Sequence, residues 1–219
     1  MRVVHLTSVH SRSDIRIFFK QCRTLSASGY EVSLVVADGN GDAIVEGVCV
    51  FDVGASKGRL NRILKTTKRV LKKAVELNAD IYHFHDPELI PVGLKLKRLG
   101  KIVIFDAHED LPKQLLGKPY LNPSLLRILS WTFSAYEHYV CPKFDVVVTA
   151  TPFIRDKFVA MGCKSVDINN FPMIGELDAA VPWADKRREV CYVGGVSSIR
   201  GARELVATCN ELKSDARLN

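Results

Sequence analysis

Short runs rich in valine and isoleucine alternate along this chain with longer stretches whose apolar residues recur every three or four positions. Residues 3–9, 31–37, 48–53, 81–84, 102–105, 146–149 and 166–168 read as strands. Several are apolar on both faces, as in a parallel sheet covered by helices on either side. Between them, residues 14–28, 60–77, 89–98, 124–140 and 152–160 carry the helical period. Gly29 and Gly100 each follow a helix, where a left-handed residue closes the last turn. Strand–helix–strand repetition of this kind predicts an α/β fold, a doubly wound parallel sheet of Rossmann-like type. Ligands of such sheets bind at the carboxyl ends of the strands, near the switch in strand order. The residues that follow each strand are therefore the candidates for chemistry.

The alternation breaks near Asn169-Asn170-Phe171-Pro172. Three parts are expected: a first domain over 1–172, a linker over 173–188 with a charge cluster near its end, and the first strand and helix of a truncated second α/β domain over 189–219. One strand and one helix bury too little to stand as a domain. The composition, 47% hydrophobic, 25% charged and 8% aromatic over 219 residues, is that of an ordinary globular protein and excludes a disordered tail or a fibrous repeat. No apolar run approaches the roughly 20 residues of a membrane span, and residues 1–6 read as a strand rather than a secretory signal. The six cysteines are scattered, which fits neither a zinc ribbon nor a disulfide scaffold. They are expected as core thiols of a cytoplasmic protein.

A net charge of +7 favours an anionic partner. Much of it lies in residues 57–73, where Lys57, Arg59, Arg62, Lys65, Lys68, Arg69, Lys72 and Lys73 share a helix with Leu60, Ile63, Leu64 and Val70. Such a helix is a solvated surface or a contact to anionic lipid at the membrane's inner face. No base-stacking platform or groove-reading motif accompanies it, so no nucleic acid is expected as partner. The apolar and aromatic stretch 115–139 reads mostly as core, with part of it available to an acceptor groove or to a membrane interface, where Trp and Tyr are favoured.

The chemistry-bearing segments stand where the fold would put them. His10-Ser11-Arg12-Ser13-Asp14-Ile15-Arg16 follows the first strand and lacks the glycines of a dinucleotide fingerprint. Asp14 is also placed to cap the next helix. His83-Phe84-His85-Asp86-Pro87-Glu88 follows one strand, and Asp106-Ala107-His108-Glu109-Asp110 the next. Two clusters of histidine and carboxylate at neighbouring strand ends suit a metal site or a hydrogen-bonding pocket for a polyol. The plain alternative is local, with Asp86 and Glu88 complementing a helix dipole. Near the end, Tyr192-Val193-Gly194-Gly195 with Arg200-Gly201 forms a strand, a glycine turn and a helix start, where backbone amides and Arg200 can meet a phosphate.

These segments in this order, from His83–Leu89 through Phe105–Pro112 and Asn169–Pro172 to Tyr192–Gly195 and Arg200, resemble a retaining GT-B glycosyltransferase of family 4, of the kind that builds bacterial surface polysaccharides. The resemblance implies two Rossmann-like domains facing a cleft, the first for the acceptor and the second for a nucleotide-sugar. It implies that His108 contacts the transferring sugar. It implies that His10, Asp14, Arg16, His85, Asp86, Glu88 and Glu109 line the substrate side. It implies that Gly194, Gly195 and Arg200 bind the donor pyrophosphate. The family often has Arg in place of Gly195 and Lys in place of Arg200. It also carries a glutamate pair eight positions apart, and no two glutamates of this chain have that spacing. The stretch given is accordingly expected to hold the acceptor half and to transfer little alone, with a nucleotide-sugar as co-substrate, no other cofactor and no metal. The acceptor is expected to be lipid-linked or an oligosaccharide. Two other readings are a metal-dependent hydrolase using His83, His85, Asp86, His108 and Asp110, and a non-catalytic remnant that binds a membrane or partner.

Overall fold

β1 (Arg2–Leu6) lies between two parallel neighbours, β2 (Glu31–Val36) and β5 (Ile81–Phe84). On the β2 side the sheet continues with β4 (Val48–Asp52) and closes with β3 (Ala43–Val45), antiparallel to it. On the β5 side follow β6 (Ile102–Ala107), β7 (Val146–Thr149) and β8 (Ser165–Asp167), all parallel. The order β3-β4-β2-β1-β5-β6-β7-β8 therefore grows outward in both directions from β1. The switch point falls between β1 and β5, the place where sheets of this kind bind their ligands. The computed structural model describes residues 1–117, 122–176, 181–196 and 200–211, and the backbone of Arg217–Leu218.

Six helices accompany this sheet among the described residues. The first, α1, opens as a wide turn over Ile15–Cys22 and tightens over Arg23–Ala27. The second, α2, runs through Arg59–Asn61, Arg62–Thr66 and Thr67–Leu77. They are followed by α3 (Ile90–Arg98), α4 (Leu111–Leu116), α5 (Pro123–Val140) and α6 (Pro152–Ala160). Period-two alternation sorts the strand residues between two cores. Val32, Leu34 and Val36 pack on Ile17, Phe18 and Cys22 of α1. Val35, between them, joins Leu6, Phe84, Phe105 and Phe144 in a second cluster with Val70 and Ala74 of α2. Gly29 and Gly100 adopt φ of +85° and +76°, as helix-closing residues do. All six cysteines are free, with Cys22, Cys141 and Cys163 buried.

The structure corrects several expectations. The first strand ends at Leu6 rather than at residue 9, because the Thr7 hydroxyl accepts the N–H groups of Val9 and His10 and turns the chain. The strand expected over 189–193 extends only over Glu189–Val190. β3 and α4 are additional: β3 is too short to show a period, and α4 carries Pro112 in its first turn, where proline is tolerated. Residues 115–139 are not mostly core. Leu116, Leu125, Ile128, Trp131 and Tyr139 are exposed, Trp131 at 73%, while Leu126 is buried; Tyr120 and Leu121 lie outside the described residues.

The chain divides into two units, Met1–Phe171 and Pro172–Asn219. In the second, β9 (Glu189–Val190) pairs in parallel with β10 (Arg217–Leu218), and α7 spans Ala202–Glu211. None of its described residues is buried.

Candidate functional site

The apolar face of β1, β5 and β6 has a polar counterpart. His5 pairs with His83 in the register of β1 and β5. His83 and His85 are two residues apart, as are Asp106 and His108, so each pair shares one side of its chain. Phe84 and Phe105, at the alternate positions, belong to the aromatic core. The result is a polar stripe across the switch point, and α1 reaches it with Arg16 and Gln21.

Asp106, fully buried, is the hub. It accepts from Arg16 Nε at 3.1 Å and Nη2 at 2.8 Å, from Gln21 Nε2 at 2.7 Å and from His85 Nδ1 at 3.2 Å. His108 Nδ1 lies 3.3 Å from its other oxygen. Burial alone would raise the Asp106 carboxyl, but the close approach of His108 and the hydrogen bonds from His85 and Arg16 hold it well below the usual range. Burial acts oppositely on the imidazoles of the stripe. It drives His5 well below its usual value and brings His83 and His85 down to about 3, so all three are neutral near pH 7.

At the strand mouths the groups are more open. His10 and His108 meet edge-on with ring centroids 5.5 Å apart, and His108 stacks on His85 at 5.6 Å. His10 Nδ1 donates to Asp14 at 3.1 Å, and its Nε2 lies 3.4 Å from Asp86. The Asp14 hydrogen bond leads in raising the His10 imidazole; burial opposes it, and the charges of Asp86 and Glu109 add to it. Burial pushes the Asp14 carboxyl upward, yet His10 and the N–H groups of Ile17 and Arg16 bring it down to about 2. Asp14 thus caps α1 and holds His10 at once. The capping reading of this residue holds.

The structure separates the remaining candidates by burial. Glu109 is exposed beside His10. Arg16, His85 and Asp86, expected as substrate contacts, are instead buried. Arg16 is held by Asp106 and by the Ile168 carbonyl at 2.8 Å. Asp86 accepts from Thr7 Oγ1 at 2.8 Å and from the Ser8 N–H at 2.6 Å, and so fixes the turn after β1. Glu88 accepts from Ser8 Oγ and, through both oxygens, from the Arg62 guanidinium at 2.8 and 3.0 Å. Arg62 reads from the sequence only as one cation of 57–73; its pairing with Glu88 was not legible there. His5 and Gln21 were likewise missed, although the alternation His83-x-His85 and Asp106-x-His108 announces a polar face to which β1 must contribute.

The five residues considered for a hydrolytic metal centre do not converge. Asp86 is occupied by the turn at Thr7 and Ser8. Asp110 accepts from Lys157 Nζ at 2.8 Å and pairs with Lys113. Beyond Asp110 an open groove of about 460 Å³ runs between α4 and α5, lined by Pro112, Leu116, Trp131 and Lys157 among others. The helix of 57–73 is also less packed than its apolar positions suggest. Only Thr66, Val70 and Ala74 are buried, because contact with the sheet starts at Thr66. Leu60 and Leu64 stand exposed beside Lys57, Arg59, Lys65 and Lys68. No helix of the described residues is long and apolar enough to cross a membrane.

In the second unit Gly194 has φ +141°, and a Cβ placed there would come within 2.9 Å of Arg200 Nη1. The positive φ favours glycine here, and the Arg200 guanidinium lies against its backbone. The Gly195 carbonyl accepts from the Tyr192 hydroxyl at 2.9 Å. Residues 197–199, the rest of the glycine turn, lie outside the described residues.

The sequence profile of Glycosyltransferase Family 4 matches residues 16–170. No curated protein matches significantly. Among solved structures the chain is similar to a sucrose-phosphate synthase from Thermosynechococcus elongatus, with 15% identity and TM-score 0.67 over 97% of this chain and 60% of that one. It is also similar to HepE from Anabaena, solved with UDP and glucose, with 12% identity and TM-score 0.63 over 100% of this chain and 60% of that one. A glycosyltransferase from Rickettsia africae gives 14% identity and TM-score 0.53 over 98% and 50%. The chain therefore spans about three-fifths of the length of the first two structures, and at these identities the likeness is one of fold, the Rossmann-like α/β architecture of GT-B enzymes. With the profile covering more than half of its residues, the chain belongs to Glycosyltransferase Family 4.

Proposed function

We propose that this chain carries the acceptor-binding part of a retaining glycosyltransferase. The enzyme would move a sugar from a nucleotide-sugar to a lipid-linked or oligosaccharide acceptor of surface polysaccharide synthesis, in the cytoplasm and at the inner face of the cell membrane. The observation that carries it is the meeting of His10 and His108 at the switch point, rings 5.5 Å apart and backed by a buried carboxylate. Retaining transfer passes through an oxocarbenium-like sugar and releases a nucleoside diphosphate. The sugar needs oriented hydrogen-bond partners, a role for His108 and Glu109. The departing phosphates need positive charge and backbone N–H groups, a role that Gly194, Gly195 and Arg200 suit by residue type. Arg16, His85, Asp86 and Glu88 serve the same site as its frame. The exposed Leu60 and Leu64 among Lys57, Arg59, Lys65 and Lys68 suit an anionic lipid surface.

Incubation of the purified 219-residue chain with a panel of nucleotide-sugars, UDP-glucose among them, and oligosaccharide acceptors tests this. Acceptor binding that weakens at least tenfold in His108→Ala, with turnover far below that of whole enzymes, is expected. Whole-enzyme turnover would refute the acceptor-half assignment, and acceptor binding indifferent to both His10→Ala and His108→Ala would remove the site. Vesicle binding unchanged by charge reversal at Lys65 and Lys68 would take the helix out of any membrane contact.

A further inference from the structure

We propose that His5, His83 and His85 form a three-imidazole site for a late first-row divalent ion, zinc foremost, inside the sheet between β1 and β5. The strands themselves bring the ligands together. His5 and His83 are register partners on adjacent strands, and His85 follows His83 on the same side. Their ring centroids are 4.8 to 5.2 Å apart. One ring nitrogen from each lies within 4.8 Å of the other two. Bonds of about 2.0–2.1 Å to zinc ask for nitrogens about 3.3 Å apart, so the rings must turn, that of His5 to present Nε2, to close the set.

The hydrogen bonds fix which lone pairs are available. Asp106, ionised, only accepts, so the proton of His85 sits on Nδ1. His85 Nε2 is then bare and accepts from His5 Nδ1–H at 2.9 Å. That leaves His5 Nε2 bare as well. Both His5 Nε2 and His83 Nε2 are buried without a hydrogen-bond partner. Native interiors rarely leave such atoms unsatisfied, and a coordinated cation satisfies them together. Binding exchanges one hydrogen bond, from His5 to His85, for bonds to the ion. The carboxylate on the far nitrogen of His85 is the outer partner that metal-bound histidines usually have, its charge shared with the Arg16 guanidinium. Three imidazoles without thiolate or carboxylate in the inner set favour zinc, copper or nickel over magnesium or calcium. His83, at 7% exposure, is the most open of the three and marks the entry side. The ion would stiffen the floor on which His108 stacks and takes no part in sugar transfer.

The test uses the untagged full chain, stripped with a chelator, loaded with Zn²⁺ or Co²⁺ and desalted. Retention of about one ion per chain is expected, with visible absorption of tetrahedral type for Co²⁺ that Zn²⁺ displaces. Retention should be lost in the double variant His5→Asn, His83→Asn and kept in His138→Asn, which alters an exposed histidine of α5. Should the double variant not fold, ring ¹⁵N spectra of the unaltered chain decide. The nitrogens of His5, His83 and His85 should shift on adding Zn²⁺, and those of His10 and His138 should not. Failure to retain the ion, retention undiminished in a folded double variant, or ring shifts confined to His108 and other histidines would each overturn the site. Retention is read without any transferase assay, so its outcome is separate from that of the proposed function.

Discussion

One carboxylate and one imidazole near the crevice mouth show how local chemistry sets charge. His10 is half-buried, which by itself disfavours its cation, yet the Asp14 hydrogen bond outweighs that cost. The two partners shift in opposite directions, and the sign of each contribution follows. The Asp14 carboxyl titrates near 2 when folded against 3.8 when free, so its contribution stands above pH 3.8 and is lost as pH falls toward 2. The His10 value is raised above 6.5, so its contribution is full below pH 6.5 and fades as pH climbs through the raised value. A proton NMR titration of the His10 ring should therefore give a midpoint above 6.5, and Asp14→Asn should bring it down. A midpoint at or below 6.5 in the unaltered chain would show that burial, not Asp14, governs this residue.

At the level of the element, α3 is seated by a residue that its own helix would rather not contain. Gly93 lies mid-helix, where alanine is intrinsically better by about 1 kcal/mol. A Cβ there would stand 2.7 Å from Phe84 Cε1 and 2.9 Å from Phe144 Cε1, two rings that pack on Phe105 in the core. Overpacking of this kind costs about 1–3 kcal/mol, which cancels or exceeds the propensity gain. Gly93→Ala should lower the urea midpoint of unfolding, and a raised midpoint would mean that the rings give way freely. The strands and helices around Gly93 were legible because long apolar periods specify them: Ile81–Phe84, Val146–Thr149 and Pro152–Ala160 coincide with the sequence pattern at both ends. β3 and α4 were not, being too short to carry a period. The candidate residues were legible by position, since each follows a strand. Their division into lining and frame was not. Whether Arg16 reaches a ligand or Asp106 depends on the wide first turn of α1, in which both the Phe18 and Phe19 N–H groups approach the Asp14 carbonyl. Residue types do not announce that turn.

Across the whole chain, burial is distributed very unequally. The sheet of Met1–Phe171 holds every buried side chain among the described residues, from Leu6 at the centre to Phe158 on α6. Even its last residues are tied back, with Lys20 Nζ donating to Asn170 Oδ1 at 2.8 Å and to the Phe171 carbonyl at 2.6 Å. Ordering a residue's backbone costs about 1–2 kcal/mol, and apolar burial is the main term that offsets it. Pro172–Asn219 has that term only weakly: Val193 and Val196 are exposed, and no described side chain of α7 is buried. Local opening free energy should therefore differ sharply between the units. Native-state hydrogen exchange on the 219-residue chain should show the amides of β1, β5 and β6 exchanging only through global unfolding. Those of Ala202–Glu211 should exchange far faster and keep their rate when Gly93→Ala destabilises the sheet. Slow exchange in Ala202–Glu211 that tracks the sheet's stability would mean that both units unfold as one, with the second drawing its order from the first.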